Sequence, residues 1–163
     1  MNGEKNEGAG MYADTIDPAN EKAGAGNKYS DEVAAAEFAS YCEVNDIDHD
    51  ETSMDEDDLK DFTAIKKRFI KACKQGRVIV DGNKIIYTNS EFSQKEFAGE
   101  KVTITRPGGS AFSGMDGFKD TQAVHKLHAF CSAMTGKEVK YFSKLDIKDW
   151  QFYRDIATLF LAG

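Results

Sequence analysis

Between residues 57 and 88 the apolar side chains change period, and this limits the fold more tightly than any other feature of the chain. From Asp57 to Gln75 they fall at Leu59, Phe62, Ile65, Phe69, Ile70 and Cys73, the intervals of a helix with one buried face. Acids open that stretch, Lys71 and Lys74 close it, and Gly76 supplies a left-handed stop. Immediately afterwards, 77–80 and 84–88 are β-branched runs on either side of Asp81-Gly82-Asn83. An Asp-Gly step between such runs is a strong hairpin signal, because the turn needs positive φ. Residues 101–105 alternate, with Val102 and Ile104 on one face, and Pro107-Gly108-Gly109 ends them. A helix that feeds a hairpin and a third strand predicts an α+β body with a small antiparallel sheet.

The last third reads as helical. Asp120 or Thr121 caps a helix to Thr135 with Val124, Leu127, Phe130, Cys131 and Met134 inward, and Gly136 stops it. Val139, Phe142 and Leu145 mark a short linking helix. Asp146 caps the final helix, with Asp149 three residues on in a capping-box-like place. Trp150, Tyr153, Ile156, Ala157 and Phe160 form one face of it, while Phe152, Leu159 and Leu161 lie off that face. Apolar residues around most of a circumference predict contact on two sides. Phe92, Phe97, Phe112 and Phe118 fall in loop-like stretches, either packed over the sheet or exposed for recognition.

Charge divides the chain differently. Residues 1–61 hold 4 Lys and 18 Asp or Glu, net −14; residues 62–163 hold 17 Lys or Arg and 10 Asp or Glu, net +7. Residues 1–28 contain one Ile and no Val, Leu, Phe or Trp, and 5 of the 14 glycines. Such a segment cannot offset its ordering entropy by burial and is expected to be disordered. We therefore place an acidic, largely disordered arm at 1–56, carrying a short helix over 30–43, and a single domain at 57–163. In that short helix Ser30 is the N-cap and Ala34, Phe38 and Tyr41 make a thin stripe, a docking face for this body or for another protein.

The same numbers narrow the function. The acidic arm repels phosphate, so nucleic acid is not an expected partner. No apolar run approaches the roughly 20 residues needed to cross a bilayer, and 1–28 has no apolar signal region, so neither membrane nor export is expected. Three cysteines, Cys42, Cys73 and Cys131, are too few and too odd for a disulfide framework and point to a reducing compartment.

Candidate chemistry is thin. Asp46, Asp48, Asp50 and Asp57 match positions 1, 3, 5 and 12 of a calcium loop, but Glu51 stands where the loop needs glycine, and a solvated acidic linker is the favoured reading. His125, His128 and Cys131 fan over one side of a helix; zinc needs a further ligand, and only Cys73 is available by type. Pro107-Gly108-Gly109-Ser110 lacks the ending of a phosphate loop. No catalytic residue, metal ligand or cofactor is expected.

Three segments resemble a known family. Residues 65–80 resemble its helix-then-strand opening; Val102-Thr-Ile-Thr-Arg-Pro-Gly-Gly109, with Met115-Asp116 after it, resembles its strand and Pro-x-Gly turn. Residues 125–163 resemble its helical half, with the Thr135-Gly136 break, Leu145-Asp-Ile147 and an apolar end at 157–161. These are features of the small tail assembly chaperones of long-tailed bacteriophages, and the resemblance covers 62–163. It implies a non-enzymatic protein of the host cell cytoplasm that binds the tape-measure protein, keeps it soluble and helps tail-tube protein assemble, with self-association as a further use of its surface. Trp150, Phe152, Tyr153, Leu159, Phe160 and Leu161 of the final helix are the expected partner contacts, or else they complete the core. A structural tail component with permanent contacts is the main alternative, and a small metal protein or enzyme at His125, His128 and Cys131 the weaker one.

Overall fold

The computed structural model describes residues 29–162. The expected disorder of 1–28 lies outside the described residues. The body is α+β: mainly helical, with one three-stranded antiparallel sheet.

Helix α1 spans Asp31–Val44, with the Ser30 hydroxyl accepting from the Val33 amide at 3.2 Å. Its stripe of Ala34, Phe38, Tyr41 and Cys42 is buried in the same core as everything that follows. Phe38 meets Phe62 and Phe69 with ring centroids 5.5 and 5.0 Å apart. This corrects the expected boundary at 56/57: the helix assigned to the arm is a wall of the body. The chain leaves α1 through Asp46, at φ 55, a conformation that aspartate tolerates better than most residues. Buried Asn45 donates to the carbonyls of Tyr41 and Asn83, tying this exit to the hairpin turn.

Helix α2 spans Glu56–Lys74 and is capped by Asp55, whose carboxylate accepts from the Asp58 amide at 2.9 Å. Strands β1 (Val78–Asp81) and β2 (Lys84–Thr88) pair around the loop Gly82-Asn83, with Gly82 at φ +59 as the tight turn demands. Strand β3 (Lys101–Ile104) pairs with the other edge of β2. The register places Val78, Ile85, Tyr87, Val102 and Ile104 on the inward face.

Helix α3 (Ser110–Met115) occupies a stretch the sequence reads as loop. A 3-10 turn then leads into α4 (Ala123–Thr135), which Gly136 closes at φ 73. A second 3-10 segment, Val139–Lys144, returns the chain to α5 (Ile147–Leu161). Helix α5 is the centre of the molecule. Phe152 lies between Tyr87, parallel at 4.1 Å, and Phe69 at 6.1 Å. Tyr153 meets Phe142 at 5.4 Å, and its carbonyl accepts from the Cys131 thiol. Asp155 accepts from Arg68 of α2 through both carboxylate oxygens, at 2.5 and 2.9 Å. The contacts demanded by its apolar circumference are thus made inside the molecule.

Candidate functional site

The polar heart of the molecule is Asp149, whose side chain is fully buried. It accepts from the Tyr87 hydroxyl at 2.9 Å, the Ser90 amide at 2.9 Å, the Ser90 hydroxyl at 2.8 Å and the Ser93 hydroxyl at 2.6 Å. Arg77 completes the set with an ion pair and also donates to the Thr88 carbonyl. A buried carboxylate is tolerable only when its lone pairs are satisfied and a cation faces it, and here both conditions hold. Burial pushes the Tyr87 phenol well above its ordinary value, so it remains a proton donor. The residue read as part of a capping box therefore turns inward; Asp146 alone caps α5, accepting from the Lys148 amide at 2.9 Å.

A second network fixes the rest of the loop between β2 and β3. Asn89 donates to the Tyr141 hydroxyl at 2.7 Å and accepts from the Tyr153 hydroxyl at 2.8 Å. The Tyr141 hydroxyl in turn donates to Glu100 at 2.8 Å, and Lys137 pairs with that same carboxylate. Phe97 packs on Tyr141 with centroids 4.8 Å apart.

This anchored loop presents Phe92, which is 78 % exposed. The Ser93 hydroxyl also accepts from the Asp146 amide at 2.8 Å, so the start of α5, with Ile147 at 68 % exposure, is clamped beside it. Next to Phe92 opens a cleft of about 240 Å³. Ala72, Tyr87 and Phe152 line its apolar part, and Arg68, Lys71, Arg77 and Lys148 supply positive charge. Arg68 and Arg77 are engaged with Asp155 and Asp149, whereas Lys71 and Lys148 are exposed. The arrangement suits a polypeptide that brings an apolar side chain and a carboxylate together.

The expected contact residues separate into two groups. Phe152, Tyr153 and Leu159 are core, with exposures of 4, 0 and 4 %, so they are not surface left over for a partner. Trp150, Phe160 and Leu161 are half-buried and packed against that core. The loop aromatics also divide. Phe97 packs down and Phe118 stacks on His125 at 5.9 Å, while Phe92 and Phe112 remain exposed.

His125, His128 and Cys131 are not brought to one point. Cys131 faces Tyr153, His128 lies edge-on to Trp150 at 4.4 Å, and His125 is on the surface. Among the described residues, no group of three His, Cys, Asp or Glu side chains is placed to hold a metal ion. Burial, with His125 nearby, holds the His128 imidazole below its ordinary value. Burial also pushes the Cys42 and Cys73 thiols up to about 12 and the Cys131 thiol further still, which leaves little thiolate. Asp48 and Asp50 close local turns with the amides of Asp50 and Thr52, and Asp57 sits on the first turn of α2.

Sequence reasoning missed Asp149 and Ile147 and left Phe92 undecided. The available signal for Phe92 was an aromatic ring in a Ser-, Asn- and Glu-rich loop. Asp149 gave none beyond its helix position, since its partners lie 56 to 72 residues away. No protein-family model, curated protein or solved structure matches this chain. No helix among the described residues is long and apolar enough to cross a membrane.

Proposed function

We propose that this chain is a non-enzymatic holding factor for another polypeptide, acting as a tail assembly chaperone of a long-tailed phage or prophage. In the host cytoplasm it keeps the tape-measure protein soluble and helps tail-tube subunits assemble. The supporting observation is the presentation of Phe92 and Ile147 on segments clamped together by buried Asp149, beside a cleft that is apolar within and cationic at its edge. Single exposed apolar side chains are ordinary. An exposed pair on a backbone fixed by a buried network is preorganised to bind, because little ordering entropy remains to be lost. The gripping surface thus moves from the inner face of α5 to its N-terminal end and the neighbouring loop.

The test is co-expression of the full chain with the tape-measure protein of the same genome. The tape-measure protein should stay in the soluble fraction with the wild-type chain and pellet with the Phe92→Asp, Ile147→Asp double variant. Both substituted positions are exposed, so the variant should keep its circular dichroism spectrum. A tape-measure protein that pellets equally in all cases refutes the reading. Recovery of the chain from purified particles would assign it instead to the tail structure.

A further inference from the structure

Helices α2 and α5 run antiparallel. Arg68 and Asp155 join them at mid-length, and a separate depression opens toward each end of the pair. One is the cationic cleft with Phe92 at its edge. The other, about 200 Å³, has an apolar lining that includes Ile47, Phe62, Ile65 and Leu159 and is rimmed by Asp48, Asp58 and Asp61. Their centres on α2 are roughly ten residues apart, about 15 Å of helical rise. The two ends differ in shape and in charge: a protruding ring beside the exposed Lys71 and Lys148, with Asp146 and the ion-paired Arg68 and Arg77 also in the lining, and an apolar hollow among carboxylates.

We propose that the protein pairs with a second copy of itself, Phe92 of one copy entering the carboxylate-rimmed hollow of the other while Lys71 and Lys148 meet Asp48, Asp58 and Asp61. Charge complementarity on the one molecule identifies the occupant. Each copy carries both halves of the contact, and the acids at the start of α2 are set against the bases near its end. An exposed apolar group that fits a pocket elsewhere on the same molecule makes a contact between unlike surfaces, which closes into a dimer if reciprocal and extends into a chain if not. The surrounding charges orient the approach and make it sensitive to salt. The inference does not depend on a tape-measure client. It does engage Phe92, so a client competing for that ring would separate the copies.

Sedimentation velocity on the purified full-length chain alone tests this and leaves the client-binding reading untouched. The wild type should associate with rising concentration at low salt and dissociate at high salt. Phe92→Asp should lose association, and so should the Asp58→Lys, Asp61→Lys variant. Mixed together, these two should form a dimer and nothing larger, because each retains the half the other lacks. Asp58→Asn with Asp61→Asn is the milder variant if the lysines disturb α2, and it should weaken association without changing the helical spectrum. A wild type that is monomeric at every concentration overturns the proposal. So does association that survives both variants, or a mixture no larger than its components.

Discussion

The same side chain does opposite work in two regions of this molecule. Between residues 45 and 58 carboxylates are dense and exposed; Glu51 reaches Lys66 of α2, while Asp48, Asp50 and Asp55 are occupied locally. Asp48 accepts from the Asp50 amide, Asp50 from the amide and hydroxyl of Thr52, and Asp55 from the Asp58 amide, all within three residues. Asp149 and Asp155 are solitary and buried, and apart from the neighbouring Arg154 beside Asp155 they bind groups 56 to 87 residues away. The run shapes a turn and starts a helix. The solitary pair holds α2, β1, β2 and the β2–β3 loop to α5. The number of acids in a stretch therefore says little about what each one supports; burial and partner distance decide it.

That contrast breaks most easily at Asp149. Asp149→Ala strands the Arg77 guanidinium and leaves the Tyr87 and Ser93 hydroxyls without an acceptor, and loss of a buried charge partner costs about 3–5 kcal/mol. Urea denaturation should show that loss, with faster amide exchange at Ser90. A loss below about 1 kcal/mol, the scale of an exposed pair, would mean that Asp149 is no more important than the acids of the run. Asp155→Ala should cost less, about 1.5–3 kcal/mol as for a hydrogen bond to a charged group. The Arg68 side chain is 35 % exposed and can turn to water once its partner is gone.

What the sequence made legible follows the same division between local and distant causes. Helix α2, the hairpin, β3, α4 and α5 announce themselves through period and the Gly76, Gly82 and Gly136 breaks, and all are present. The cap expected at Asp120 or Thr121 falls instead in the 3-10 turn before α4, which starts at Ala123 without a side-chain cap, and Val124 on that helix is exposed rather than inward. Helix α3 gave no such signal, being six residues with Gly114 inside. Helix α1 was found within a residue of its ends, but its allegiance was hidden. Its stripe is thin, and only the fold shows that Phe38 and Tyr41 are completely enclosed by α2 and α5. The apolar girth of α5 was visible, yet its two sides are α2 and the sheet on one hand and α4 with the 3-10 segment on the other. Interior and interface make the same demand on a sequence, and period alone cannot separate them.

Smaller effects sharpen the comparison from the side of the run. Asp55→Ala removes the N-cap of α2 and should cost about 1 kcal/mol, measured by the same urea transitions, while Asp55→Asn should restore most of it. Asp50 should give the least. Its carboxyl is held below the usual range by the Thr52 hydroxyl and amide, yet it is wholly exposed. A depressed carboxyl stabilises the fold above its unfolded value of about 3.9 and loses that contribution as pH falls through the folded value. Asp50→Asn can still accept both Thr52 bonds, so its midpoint at neutral pH should match the wild type. Any wild-type advantage should disappear on acidification, because only the aspartate titrates. A large loss at neutral pH would mean that this turn carries long-range structure, and the distinction between run and interior would fail at its exposed end.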